Sequence, residues 1–137
     1  MLKRFCLLLI LVLAVALLAG CSGALKASLG SEFTLSVGQS ARIASESMDI
    51  KFTDVTEDSR CPKNVQCIWA GQVGCAIEIT KENTKNPITL TDSAGTGSSA
   101  GYIFQDYKIV FAVSPYPEAG KPIAKGDYRL KLTVTKK

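Results

Sequence analysis

From Phe33 onward the chain alternates apolar and polar residues with a period of two. Phe33, Leu35 and Val37 alternate with Thr34 and Ser36, and Gly38-Gln39 offers a turn. Met48, Ile50 and Phe52 alternate with Asp49, Lys51 and Thr53. Val73, Cys75, Ile77 and Ile79 fall opposite Gly74, Ala76, Glu78 and Thr80. Ile88 and Leu90 mark a short strand after Asn86-Pro87, and Tyr107, Ile109, Phe111 and Val113 follow. Tyr128, Leu130, Leu132 and Val134 close the chain against Arg129, Lys131 and Thr133. Successive side chains of a strand point to opposite faces, so each run predicts a strand with one face on a core. No segment past residue 31 keeps a helical period. The pattern predicts an all-β domain over residues 32–137, an antiparallel β-sandwich of about seven strands with an immunoglobulin-like outline. A small closed barrel is the alternative.

The first residues break the pattern. Lys3 and Arg4 precede an uncharged run from Phe5 to Ala19. A basic start, an apolar stretch and a small-residue exit are the parts of a secretory signal. The apolar run is roughly 15 residues, short of the ~20 that span a bilayer as a helix. The exit Leu18-Ala19-Gly20-Cys21 resembles the lipobox of bacterial lipoproteins. That resemblance implies cleavage after residue 20 and transfer of a diacylglyceryl group, with palmitate-like acyl chains, to the Cys21 thiol. Each buried methylene adds ~0.8 kcal/mol, so two or three chains anchor durably. The expected organisation is a signal over residues 1–20, a lipidated tether over 21–31, and the sandwich. The expected location is the cell envelope outside the cytoplasm, at the outer membrane in a double-membraned host because Ser22 rather than Asp follows the cysteine.

Charge and composition narrow the chemistry. The net charge is +4, and Lys3 and Arg4 supply two of those four. The small remainder is no nucleic-acid footprint, so no nucleic-acid partner is expected. The chain has no histidine, which removes Ser-His-Asp and Cys-His catalysis, His-ligated zinc and the usual base near neutral pH. Gly95 and Gly97 sit in a Gly/Ser-rich stretch, residues 92–101, without the Gly-Lys-Ser/Thr ending of a phosphate loop. That stretch has too little side chain to pack and reads as a loop. No enzyme activity, metal or cofactor is expected. Lys136 and Lys137 at the last strand read as guards against edge-to-edge pairing.

The segment Asp58-Ser59-Arg60-Cys61-Pro62-Lys63-Asn64-Val65-Gln66-Cys67-Ile68-Trp69-Ala70-Gly71 is the densest in chemistry. With Cys6 in the signal and Cys21 lipidated, Cys61, Cys67 and Cys75 remain. The turn-rich spacing between Cys61 and Cys67 suits a disulfide, with pairings to Cys75 as alternatives. Cys75 lies on the apolar face of its strand, where a thiol behaves as a small hydrophobe. The five-residue gap is not a Cys-x-x-Cys redox motif. Trp69 is expected to cover the disulfide and plug the sandwich end, with an exposed recognition aromatic as the alternative. Arg60 is expected to pair locally with Asp58 or Glu57, with anion binding as the alternative. Asp54, Glu57 and Asp58 lack the spacing of a calcium loop.

This segment resembles a motif of bacterial exported proteins and lipoproteins: Asp-Ser-Arg-Cys-Pro, a few residues, then Cys-x-Trp-Ala-Gly and a strand. The Pro-rich stretch Ser114-Pro115-Tyr116-Pro117 extends the resemblance. It implies an exported β domain and carries no assigned activity. The expectation is therefore a non-catalytic interaction or structural module in the envelope, held to the membrane by its lipid and open to an envelope protein partner. Arg60, Trp69 and Tyr116 are the candidate interaction residues, on contact loops 57–71, 92–101 and 114–122. An exported protease inhibitor is the alternative, since small immunoglobulin-like inhibitors present loops from one sandwich end. Phe33 to Gln39 faintly resembles how such chains open, but the Asn-Pro-Thr-Thr-Gly and Arg-Pro-Trp loops are absent. A thiol-redox protein is a third reading.

Overall fold

A computed structural model describes residues 23–93 and 99–137. The expected export signal, the expected lipidation residue Cys21 and the centre of the Gly/Ser-rich stretch lie outside the described residues. Nine strands run in chain order: β1 (Leu25–Ala27), β2 (Glu32–Ser36), β3 (Ser40–Ile43), β4 (Met48–Asp58), β5 (Val73–Lys81), β6 (Thr84–Asp92), β7 (Ala100–Phe104), β8 (Tyr107–Ser114) and β9 (Arg129–Lys136). They form one sheet of order β1-β3-β4-β5-β6 and a second of order β2-β9-β8-β7. All pairings are antiparallel except β1 with β3. The molecule is a two-sheet β-sandwich. The strands connect mainly as two meanders, β3 to β6 and β7 to β9. No helix among the described residues is long and apolar enough to cross a membrane.

The alternation explains the core. Ile43, Met48, Ile50, Phe52, Cys75, Ile77, Ile79 and Leu90 of one sheet meet Leu35, Ile109, Phe111, Leu130, Leu132 and Val134 of the other, all buried. Each such side chain gains roughly 1.5–3 kcal/mol on leaving water. The polar partners of the same strands face solvent.

Several elements differ from the sequence expectation. Leu25–Ala27, placed in the tether, is an edge strand in parallel register with β3, Leu25 opposite Ala41. The strand expected at Ile88 and Leu90 runs from Thr84 to Asp92 and contains Pro87. Proline is tolerated there because β6 is an edge strand, with a free side that asks for no donor. A two-residue turn, Glu82-Asn83, joins β5 to β6 with both residues at positive φ, the geometry of tight hairpins. The Gly/Ser-rich stretch is shorter than expected, since Ala100 and Gly101 already pair with Phe111 and Val110. β9 is flanked by both β2 and β8 over Arg129–Thr133, and Lys136, beyond the reach of β2, pairs with Glu46 at 3.2 Å and lies over the Tyr107 ring.

The registers sort the loops between two ends. Turns 44–47, 82–83 and 105–106 are short and share one end. At the other end lie the 37–39 turn, the β4–β5 loop, the β6–β7 connection and the β8–β9 loop, because Asp58, Val73, Asp92, Ser114 and Arg129 all terminate their strands there. The three expected contact loops thus emerge together.

Candidate functional site at the loop end

The β4–β5 loop continues its hairpin beyond the sheet. The Ser59 amide donates to the Gln72 carbonyl at 2.8 Å, and the Cys61 amide to Ala70 at 2.9 Å. Gly71 makes this close approach possible: its φ is +71°, and a Cβ there would sit 1.8 Å from the Ser59 carbonyl oxygen. Past Cys61 the chain turns at Pro62–Val65, with Asn64 at φ 61°. The Cys61–Cys67 disulfide, with Cα atoms 5.9 Å apart, closes the loop. Cys75 is free and buried, and burial pushes its thiol up to about 12.

Arg60 clamps the two sheets together. Its Nε donates to Asp58 Oδ1 at 2.8 Å and its Nη2 to Oδ2 at 2.6 Å, a fork-on-fork pair. Nη1 donates to the Val113 carbonyl and Nη2 to the Pro115 carbonyl, each at 3.0 Å. These carbonyls belong to the end of β8 and the loop after it, which follows a cis Ser114–Pro115 bond. The guanidinium lies 5.1 Å from the Tyr116 ring centroid. Tyr128 adds its hydroxyl to Asp58 Oδ2. Burial opposes charge on both Asp58 and Arg60. The hydrogen bonds and charge between them outweigh it, so the Asp58 carboxyl is held below its usual range and the Arg60 guanidinium above its own. Burial, then the neighbouring Asp58 carboxylate, push the Tyr128 phenol up to about 12.

The clamp fixes how the disulfide loop sits on the β8–β9 loop. The Lys63 amide donates to the Pro117 carbonyl at 3.0 Å. The Lys63 ammonium lies 3.8 Å from Glu118, which also pairs with Lys121 at 2.5 Å. An open depression of about 230 Å³ beside this junction is lined by Pro115, Tyr116, Lys121, Pro122, Ile123 and Asp127.

With these parts held, the tip of the loop is bare. Ile68 is 94 % exposed, Trp69 81 % and Val65 43 %. Trp69 therefore does not cover the disulfide or plug the sandwich. Arg60 and Tyr128, not Trp69, are buried at this end of the sandwich. Against protein-family models, curated proteins and solved structures, the chain matches nothing.

Of the three candidate interaction residues, Arg60 is interior with a side chain 2 % exposed, and it acts on Asp58 and the β8 carbonyls. Tyr116 is half-buried beneath it. Trp69 alone projects outward. Asp54, Glu57 and Asp58 do not converge: Asp54 meets Lys125 at 2.9 Å, Glu57 accepts from Gln72 at 2.6 Å, and Asp58 holds Arg60. Among the described residues no three metal-ligating side chains are grouped. Ile68 escaped the sequence reading. Its signal was there: two adjacent large apolar residues in a turn-rich loop cannot both face one core.

Proposed function

We propose that the protein is a lipid-anchored, extracytoplasmic module of the bacterial cell envelope, non-catalytic, that makes its contacts from the loop end of the sandwich. The observation that carries this is the bare Ile68-Trp69 pair on a loop fixed by a disulfide, a hairpin and a buried clamp. An apolar tip held this rigidly loses little entropy when it is covered. Tryptophan is among the residues that most often dominate contact energies. Lipidation of Cys21 supplies the anchor, and the disulfide is compatible with an oxidising compartment.

A photo-crosslinking residue at position 69, compared with one at position 83 in the opposite end turn, tests the contact surface in intact cells. Capture of an envelope component from position 69 and not from 83 is expected. Equal capture from both, or capture from 83 alone, contradicts the assignment.

The grouping of loops at one end also favours the second reading, an exported protease inhibitor. Failure to inhibit papain-like proteases at micromolar concentration removes it.

A further inference from the structure

We propose that the Ile68-Trp69 tip docks into the surface of the same bilayer that holds the N-terminal lipid, so that the sandwich sits on the membrane at two points. This rests on the reading of Cys21 as the lipidated residue.

β1 runs away from the loop end. Its parallel register with β3 sets Leu25 opposite Ala41, which faces Ile50 on β4. Traced backward from Leu25, the chain heads toward the loop end. Gly23 lines a depression with Gly38, Gln39, Ser40 and Lys51 at the rim of that end. Cys21 is two residues further on, a reach of at most ~7 Å.

Gly23 is level with Phe52 and hence with Ile77 on β5. From Ile77 to Ala70, at the base of the tip, is seven residues of hairpin, roughly 23 Å of strand rise. Gly23 therefore lies roughly 23 Å short of Ala70 along the strands and two to three strand spacings, roughly 12 Å, to one side, and the two residues that join it to the anchor add a reach of at most ~7 Å. Both points can touch one plane if the sandwich leans toward its β1 edge. That lean lowers Lys26 and Lys51, both exposed, toward the headgroups, where cations are favoured by anionic lipid.

The tip presents an aliphatic residue and an indole, Ile68 and Trp69, both largely exposed, a set suited to the headgroup boundary. An anchor this short keeps the tip within reach of the bilayer at all times, a high effective concentration that a separate protein partner lacks.

Trp69 is the only tryptophan in the chain, so its fluorescence reports the tip alone. The experiment reconstitutes the full mature protein, with its N-terminal mass measured, into phosphatidylethanolamine–phosphatidylglycerol vesicles with and without brominated acyl chains. The emission is expected to shift to the blue and be quenched by the bromolipid, and Ile68→Ser is expected to weaken the quenching without unfolding the domain. Water-like, unquenched emission from protein that carries the lipid mass and floats with the vesicles overturns the docking and leaves the anchor standing. Absence of the lipid mass overturns the anchor and the docking with it. Emission that is shielded in native envelope vesicles but water-like in pure lipid assigns the tip to a protein partner and likewise overturns the docking.

Discussion

The Tyr128 hydroxyl donates to Asp58 Oδ2 over 3.0 Å, joining residues 70 positions apart across the two sheets. Together with Arg60 it leaves Asp58 charged in a nearly dry setting. Removing one member of such a group exposes the others as uncompensated buried charge. Arg60→Ala is therefore expected to cost about 3–5 kcal/mol in denaturant unfolding. Tyr128→Phe is expected to cost about 1.5–3 kcal/mol, the worth of a bond to a charged acceptor. Pairing Arg60→Met with Asp58→Leu removes both charges at once, so the double variant is expected to lose less than the sum of its single changes. Simple additivity would show that the pair is not coupled.

Gly71 carries a more local prediction. Any side chain there meets the Ser59 carbonyl and must also hold a left-handed φ. Strained backbone of this kind costs on the order of 1–3 kcal/mol, and relief of the clash opens the hairpin. Gly71→Ala is expected to lower the unfolding midpoint and raise amide exchange at Ser59 and Cys61. Unchanged protection of those two amides would contradict the tight approach.

The disulfide encloses a small ring, so its removal is expected to be mild. Cys61→Ser with Cys67→Ser should lose ~2 kcal/mol by loop closure and leave the sandwich folded, because the clamp and core lie outside the ring. Loss of the β-sheet circular dichroism at room temperature would show that the loop is part of the folding core.

Stability is expected to fall at high pH. Cys75 and Tyr128 are both raised to about 12 in the folded protein, from ordinary values of 9.0 and 10.0. A raised acid binds its proton more tightly when folded, so its contribution is complete below the ordinary value and fades as pH climbs toward the folded one. The loss should begin near pH 9 and grow to pH 12. Asp58, shifted the other way, contributes above the ordinary carboxylate range and loses that contribution as pH falls through its lowered value. Titrated thermal unfolding checks both limbs, and Cys75→Ala should flatten the start of the alkaline limb.

Much of the sandwich was legible because alternation maps directly onto buried faces. Leu130, Leu132 and Val134 are all buried, as their period requires. Strands β1 and β3 were not, since three or four residues such as Leu25–Ala27 or Ser40–Ile43 are too short to show a period. Pro87 hid most of β6, because only the edge position of that strand makes a proline acceptable. At the site, the Cys61–Cys67 pairing followed from spacing. Trp69 did not: whether an aromatic covers a disulfide or leaves it depends on whether other side chains occupy the space. Here Arg60 and Tyr128, the latter 70 residues from its Asp58 partner, are side chains buried at that end. That competition is tertiary and leaves no trace in local pattern.

The account depends most on the anchor, and intact mass spectrometry of the protein from its own membranes, without reductant, addresses it directly. A chain beginning at Cys21, carrying a diacylglyceryl mass and two hydrogens lighter for the Cys61–Cys67 bond, is the expected result. A chain that retains Met1, carries no lipid and has all of its thiols reduced would contradict it.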